Sequence, residues 1–103
     1  MSLEKYFPVA EAMARLLHPH GETVVHDLET GKIAAIYHNL SKRKVGDESL
    51  IEMLADYAKL PDVFPVYEKM NWDGRKMRST SATLRDDLGN AVGLLCINLD
   101  VSQ

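Results

Sequence analysis

Apolar residues at three- and four-residue intervals open the chain. Leu3, Tyr6, Phe7, Ala10, Met13, Ala14 and Leu17 predict an amphipathic helix. Pro8 limits where it begins, because proline has no amide hydrogen to give a helix interior. The regular helix is expected to start near residues 5–8 and to stop before His18-Pro19. Two β-rich runs follow, Glu22 to Leu28 and Ile33 to His38, joined by the tight-turn composition Glu29-Thr30-Gly31-Lys32. Asn39 to Gly46 is polar and basic and predicts a loop. Asp47 is then expected to cap a second helix with the face Leu50, Ile51, Leu54, Tyr57 and Ala58, halted by Leu60-Pro61. Three more strands are predicted. Val66 to Trp72 turns through Asp73-Gly74, and Arg75 to Arg85 turns through Asp86 to Asn90. Ala91 to Asp100 is the most apolar run, which predicts a central place in the sheet.

The predicted order is helix, two strands, helix, three strands. It implies an α+β fold with a five-stranded antiparallel sheet and helices packed on it, the order of a PAS domain. At 103 residues with 46% hydrophobic side chains, the chain is expected to form one domain with one core. A net charge of -3 offers no electrostatic footprint for nucleic acid. Cys96 is the only cysteine, so no disulfide framework is possible and a reducing cytoplasm is the expected setting. No apolar run approaches the roughly 20 residues of a membrane span, and Glu4 and Glu11 interrupt any signal-peptide pattern.

Four segments sharpen the expectation. Val24-Val25-His26-Asp27-Leu28, Arg43-Lys44-Val45-Gly46-Asp47, Asp73-Gly74-Arg75-Lys76-Met77-Arg78-Ser79-Thr80-Ser81 and Gly93-Leu94-Leu95-Cys96-Ile97-Asn98-Leu99-Asp100 resemble, in order, signatures of the YheO-like PAS family. The resemblance runs from about residue 5 to 102. It implies a non-catalytic sensory domain of a bacterial transcription regulator, usually followed by a helix-turn-helix that binds DNA. Residues 1–103 leave no room for such a helix pair after the last strand, so the chain is expected to be a piece of a longer regulator.

Enzyme chemistry finds little support. His26-Asp27 would suit a metal phosphohydrolase, but neighbouring residues on a strand point to opposite faces and cannot share a metal. His18-Pro19-His20 lacks further ligands at metal spacing and reads as a helix-ending turn. Cys96 sits among Leu94, Leu95 and Ile97, where a thiol is a small hydrophobe rather than a nucleophile. No nucleophile elbow, phosphate loop or dinucleotide fingerprint occurs. Catalytic residues, metal ligands and cofactors are therefore all expected to be absent. Haem and flavin are disfavoured because the predicted second helix carries neither His nor Cys.

Binding chemistry is more promising. Lys42-Arg43-Lys44 reads first as a solvated loop and second as an anion clamp. Arg78-Ser79-Thr80-Ser81-Ala82-Thr83 is unusually polar for a core strand. If Asp86 and Asn90 bracket the last turn, Thr80 faces Cys96 and Arg78 faces Asn98. One face then runs from an apolar end (Ala82, Leu84, Val92, Leu94) to a polar one, as a ligand pocket requires. His26 and Tyr37 share its parity. The expected ligand contacts are His26, Tyr37, Arg78, Thr80, Cys96 and Asn98, with Arg78 pairing an anionic group. The leading expectation is a small-molecule sensor. The alternative is a protein-interaction or homodimerisation module, since Leu3, Tyr6, Phe7 and Met13 offer more apolar surface than a short helix must bury.

Overall fold

In a computed structural model the described residues are 3–49 and 59–102. A single 3-10 turn, Glu4–Tyr6, leads into α1, Phe7–Leu17, with Pro8 in the first turn where its missing amide hydrogen is harmless. Five strands follow: β1 Gly21–Asp27, β2 Lys32–Tyr37, β3 Tyr67–Met70, β4 Lys76–Arg85 and β5 Ala91–Asp100. They form one antiparallel sheet in the order β2-β1-β5-β4-β3. The apolar β5 lies at its centre, as its composition predicts.

α1 packs across one face of the sheet, here the helix face. Ala10 is fully buried against it, and Thr23 Oγ1 donates to the Ala10 carbonyl at 2.8 Å. Leu3, Val25, Ala35, Leu84 and Leu95 complete this core, with Tyr6, Phe7, Met13 and Tyr37 packed around it. Most of the apolar surface expected on the first helix is thus absorbed within the chain. Val9 and Leu16 stay exposed.

On the opposite or far face lie described residues of the connection between β2 and β3. Leu60 and Phe64 pack on Leu28, Leu94 and Cys96 there. The same connection pairs beside β2 and beside the part of β4 that β3 leaves unpaired. Glu48 bridges Lys32 beside β2, and Val63 bridges Ala82 beside β4. β1 is consequently buried along all but its last residue.

Two expectations change. The predicted second helix, with Leu50, Ile51, Leu54, Tyr57 and Ala58, lies outside the described residues, among which α1 is the one α-helix. Asp47, expected to cap it, has its Oδ2 accepting the Lys44 amide at 3.0 Å and its carbonyl accepting the Ile33 amide, while the Gly46 and Ser49 amides donate to the Ile33 and Gly31 carbonyls. The second change is register. The last turn closes as expected, with the Asp86 amide donating to the Asn90 carbonyl and Arg85 opposite Ala91. One residue later the ladder slips, and Leu84 pairs with Gly93, leaving Val92 as the extra residue of a β-bulge. Ser81 therefore faces Cys96 and Ser79 faces Asn98, in place of Thr80 and Arg78. The first hairpin carries a second bulge: His26 pairs with Ile33 but Val25 with Ala35, so Ala34 is extra. That slip sends Tyr37 to the helix face, opposite Thr23, and away from His26.

Candidate functional site

The far face gathers polar side chains that a sheet core would normally exclude. Glu22 and His26 come from β1, Cys96 and Asn98 from β5, Ser79 and Ser81 from β4. Glu22, His26, Ser79, Ser81 and Asn98 are all buried, as is Ser49 from the crossing connection. A buried polar group is tolerated only when hydrogen-bonded. Among the described residues none of these side-chain atoms lacks a partner.

Glu22 organises the row, although it is fully buried. Ser79 Oγ donates to Asn98 Oδ1 at 2.7 Å, and Asn98 Nδ2 donates to Glu22 Oε1 at 2.7 Å. Glu22 Oε2 accepts the Leu40 amide at 2.8 Å, the Ser41 amide at 2.9 Å and Ser41 Oγ at 2.7 Å. Ser41 Oγ in turn accepts from Arg43 Nε at 3.1 Å. The charge of Glu22 is thus met by four short donors, which makes burial affordable and ties residues 40–43 to β1. The β3–β4 turn holds the same loop from the other side. Asn71 Nδ2 and Trp72 Nε1 both donate to the Leu40 carbonyl, at 2.8 and 3.0 Å, and Lys42 Nζ lies 4.3 Å from the centre of the Trp72 ring.

His26 Nδ1 and Ser49 Oγ share a hydrogen bond of 2.8 Å. Burial first, then the positive charges of Arg43 and Lys69, lower the His26 pKa to about 4, with Glu22 opposing only in part. The imidazole is neutral at pH 7 and can donate or accept. Ser81 Oγ donates to Cys96 Sγ at 3.1 Å, and burial pushes the thiol pKa up, so the reactive thiolate is suppressed. From β3, Tyr67 stands opposite Ser79 and Lys69 opposite Met77, on this same face. Lys69 keeps much of its surface in solvent, yet its pKa is lowered by desolvation and then by Arg43.

Of the residues expected to touch a ligand, His26, Cys96 and Asn98 meet on the far face. Tyr37, Arg78 and Thr80 do not join them. Tyr37 packs into the core beneath α1, Arg78 is exposed opposite Leu99, and Thr80 Oγ1 donates to the Phe64 carbonyl at 2.8 Å. Arg78 and Thr80, with Val66, Ser79, Ile97 and Leu99, line an open groove of about 170 Å³. Sequence reasoning missed Glu22, Ser79, Ser81, Tyr67 and Lys69. Glu22 left a readable signal: a carboxylate four residues before His26 on a strand must share its face. The serines were assigned to the wrong side by the unseen bulge.

Among the described residues no group of three or more His, Cys, Asp or Glu side chains is arranged to hold a metal ion, and no helix is long and apolar enough to cross a membrane. The profile of the YheO-like PAS domain family matches residues 1–103. The chain belongs to that family, a non-enzymatic one. This YheO-like PAS domain is 48% identical over 102 residues to the transcriptional regulator DauR of Pseudomonas aeruginosa. The match takes in 98% of this chain but 48% of that protein, so the chain spans about half the length of its relative. It also superimposes on the crystal structure of a C-terminal domain from Streptococcus mutans with a TM-score of 0.57. That likeness, at 17% identity over 90% of this chain and 84% of the other, concerns the fold alone.

Proposed function

We propose that this YheO-like PAS domain is the sensory module of a cytoplasmic bacterial transcription regulator, and that it binds a small molecule against the far face of its sheet. DNA would be bound by another part of the regulator, a helix-turn-helix in the usual arrangement. The observation that carries the reading is the buried polar row Glu22–Asn98–Ser79, flanked by a neutral His26 and by Cys96. A core built only for stability has little use for six buried polar side chains on one face. His26, Cys96 and Asn98 would contact the ligand. The loop 39–43, tied to Glu22 and to the β3–β4 turn, would carry the response, because a ligand that binds one loop arrangement better shifts its population.

Native mass spectrometry of the freshly purified chain tests this. A discrete extra mass of metabolite size, lost in Asn98→Leu and His26→Leu, is the expected result. No bound mass, followed by a metabolite screen that moves no far-face amide, would refute it. A second reading, homodimerisation, is favoured by the groove at Val66, Arg78, Thr80, Ile97 and Leu99, together with exposed Val9 and Leu16 on α1. A monomer in sedimentation analysis at micromolar concentration would remove it.

A further inference from the structure

The charges on the far face define what kind of molecule it suits. Two cations reach it from separate elements, Arg43 from the loop after β2 and Lys69 from β3. Among the described residues neither forms an ion pair, whereas Lys5, Arg15, Arg75, Lys76 and Arg85 each have a carboxylate within 4 Å. Glu22 is the one carboxylate of the polar row, and its oxygens are already occupied by Asn98 Nδ2, two backbone amides and Ser41 Oγ. With His26 neutral, Arg43, Lys69 and Glu22 sum to one positive charge, in a chain whose total is -3.

The two cations also act on each other and on the same neighbours. Both lower the pKa of His26, and Arg43 lowers that of Lys69. Like charges that face one patch repel, and Glu22 offsets them only in part. A phenolic hydroxyl borders the same area, that of Tyr67, opposite Ser79. A planar guanidinium, a mobile ammonium and a nearby hydroxyl are the groups that recognise the oxygens of a carboxylate or phosphate.

Resting on the small-molecule reading above, we infer that the ligand is an oxyanion-bearing molecule, its carboxylate or phosphate held between Arg43 and Lys69 over the Glu22–Asn98–Ser79 row. The anion-pairing role expected of Arg78 thereby passes to residues on the other side of the sheet.

Amide-resolved NMR titration of the 103-residue chain tests the inference with four probes at constant ionic strength: acetate, inorganic phosphate, acetamide and methylammonium. At least one anion is expected to give saturable shifts at Lys69, Ser79 and Cys96. Whether acetate or phosphate binds more tightly identifies the oxyanion. Arg43→Gln and Lys69→Gln should each weaken that anion about tenfold, the loss of roughly one charge-assisted bond. Arg78→Gln should leave it unchanged. Preserved amide spectra of the variants exclude misfolding as the cause. Non-saturating shifts, or equal affinity in Arg43→Gln and Lys69→Gln, would overturn the inference. Saturable far-face binding of acetamide or methylammonium alone would overturn it too, while leaving the small-molecule site standing. If no probe binds and native mass spectrometry finds no extra mass, both readings fall.

Discussion

Asn98 is the residue whose loss should be felt most. Its amide bridges Ser79 and Glu22, and the residue is 2% exposed. Asn98→Ala removes the donor to Glu22 Oε1, leaving one oxygen of a fully buried carboxylate without its 2.7 Å partner. A hydrogen bond to a charged group contributes about 2 kcal/mol, and the orphaned Ser79 hydroxyl adds about 1 kcal/mol. The expected destabilisation is therefore about 3 kcal/mol, a large share of the roughly 5–15 kcal/mol of a domain this size. In urea unfolding it should lower the midpoint by roughly 1.5 M with little change in slope. In a thermal scan it should lower Tm by roughly 15 °C. A double-mutant cycle isolates the network. Ser79→Ala alone should cost about 1 kcal/mol, but the double variant Ser79→Ala/Asn98→Ala should be no worse than Asn98→Ala, since the bond they share can be lost only once. A loss under about 1 kcal/mol for Asn98→Ala would refute the claim that Glu22 depends on Asn98, and strict additivity in the cycle would refute the Ser79–Asn98 coupling.

Three further outcomes are expected. The His26 pKa, about 4 when folded against 6.5 unfolded, means that the unfolded chain binds the extra proton between these values, so stability should fall as pH drops from about 6.5 to 4. The His26 part of that loss is about 3 kcal/mol, and urea titrations of wild type and His26→Asn at each pH should differ by it; parallel curves would contradict the assignment. Ser81→Cys should oxidise to a disulfide with Cys96, its cross-strand partner, whereas Thr80→Cys should not; thiol counting after mild oxidation tests the slipped register directly. A Cβ added at Gly93 would lie 2.7 Å from the His26 carbonyl oxygen and 2.5 Å from Leu3 Cδ1, so Gly93→Ala should destabilise by about 1–3 kcal/mol in thermal unfolding, and a neutral result would mean the β1–β5 contact is looser than described.

The hydrophobic pattern by itself determined the first helix, the five strands and their turns, and the central place of β5. These follow from local rules: Leu3 to Leu17 can bury a stripe only at helical period, and Asp73-Gly74 or Asp86 to Asn90 can only turn. The quoted motifs were also enough to indicate the family before any fold was known. What the pattern could not supply was which side of the sheet each strand residue occupies. Ala34 and Val92 each add one residue to a ladder, and with a side-chain period of two, one residue exchanges the faces. The face assignments that the structure changes share that cause: Tyr37 lies beyond the first bulge, Arg78 and Thr80 beyond the second. His26, Cys96 and Asn98 escaped it, because β1 and β5 pair without a slip. The role of Glu22 was likewise a tertiary matter. A carboxylate at the start of a strand is ordinarily solvated, and only the return of Leu40, Ser41 and Asn98 around it, from 18, 19 and 76 residues away, makes it the buried centre of the polar row.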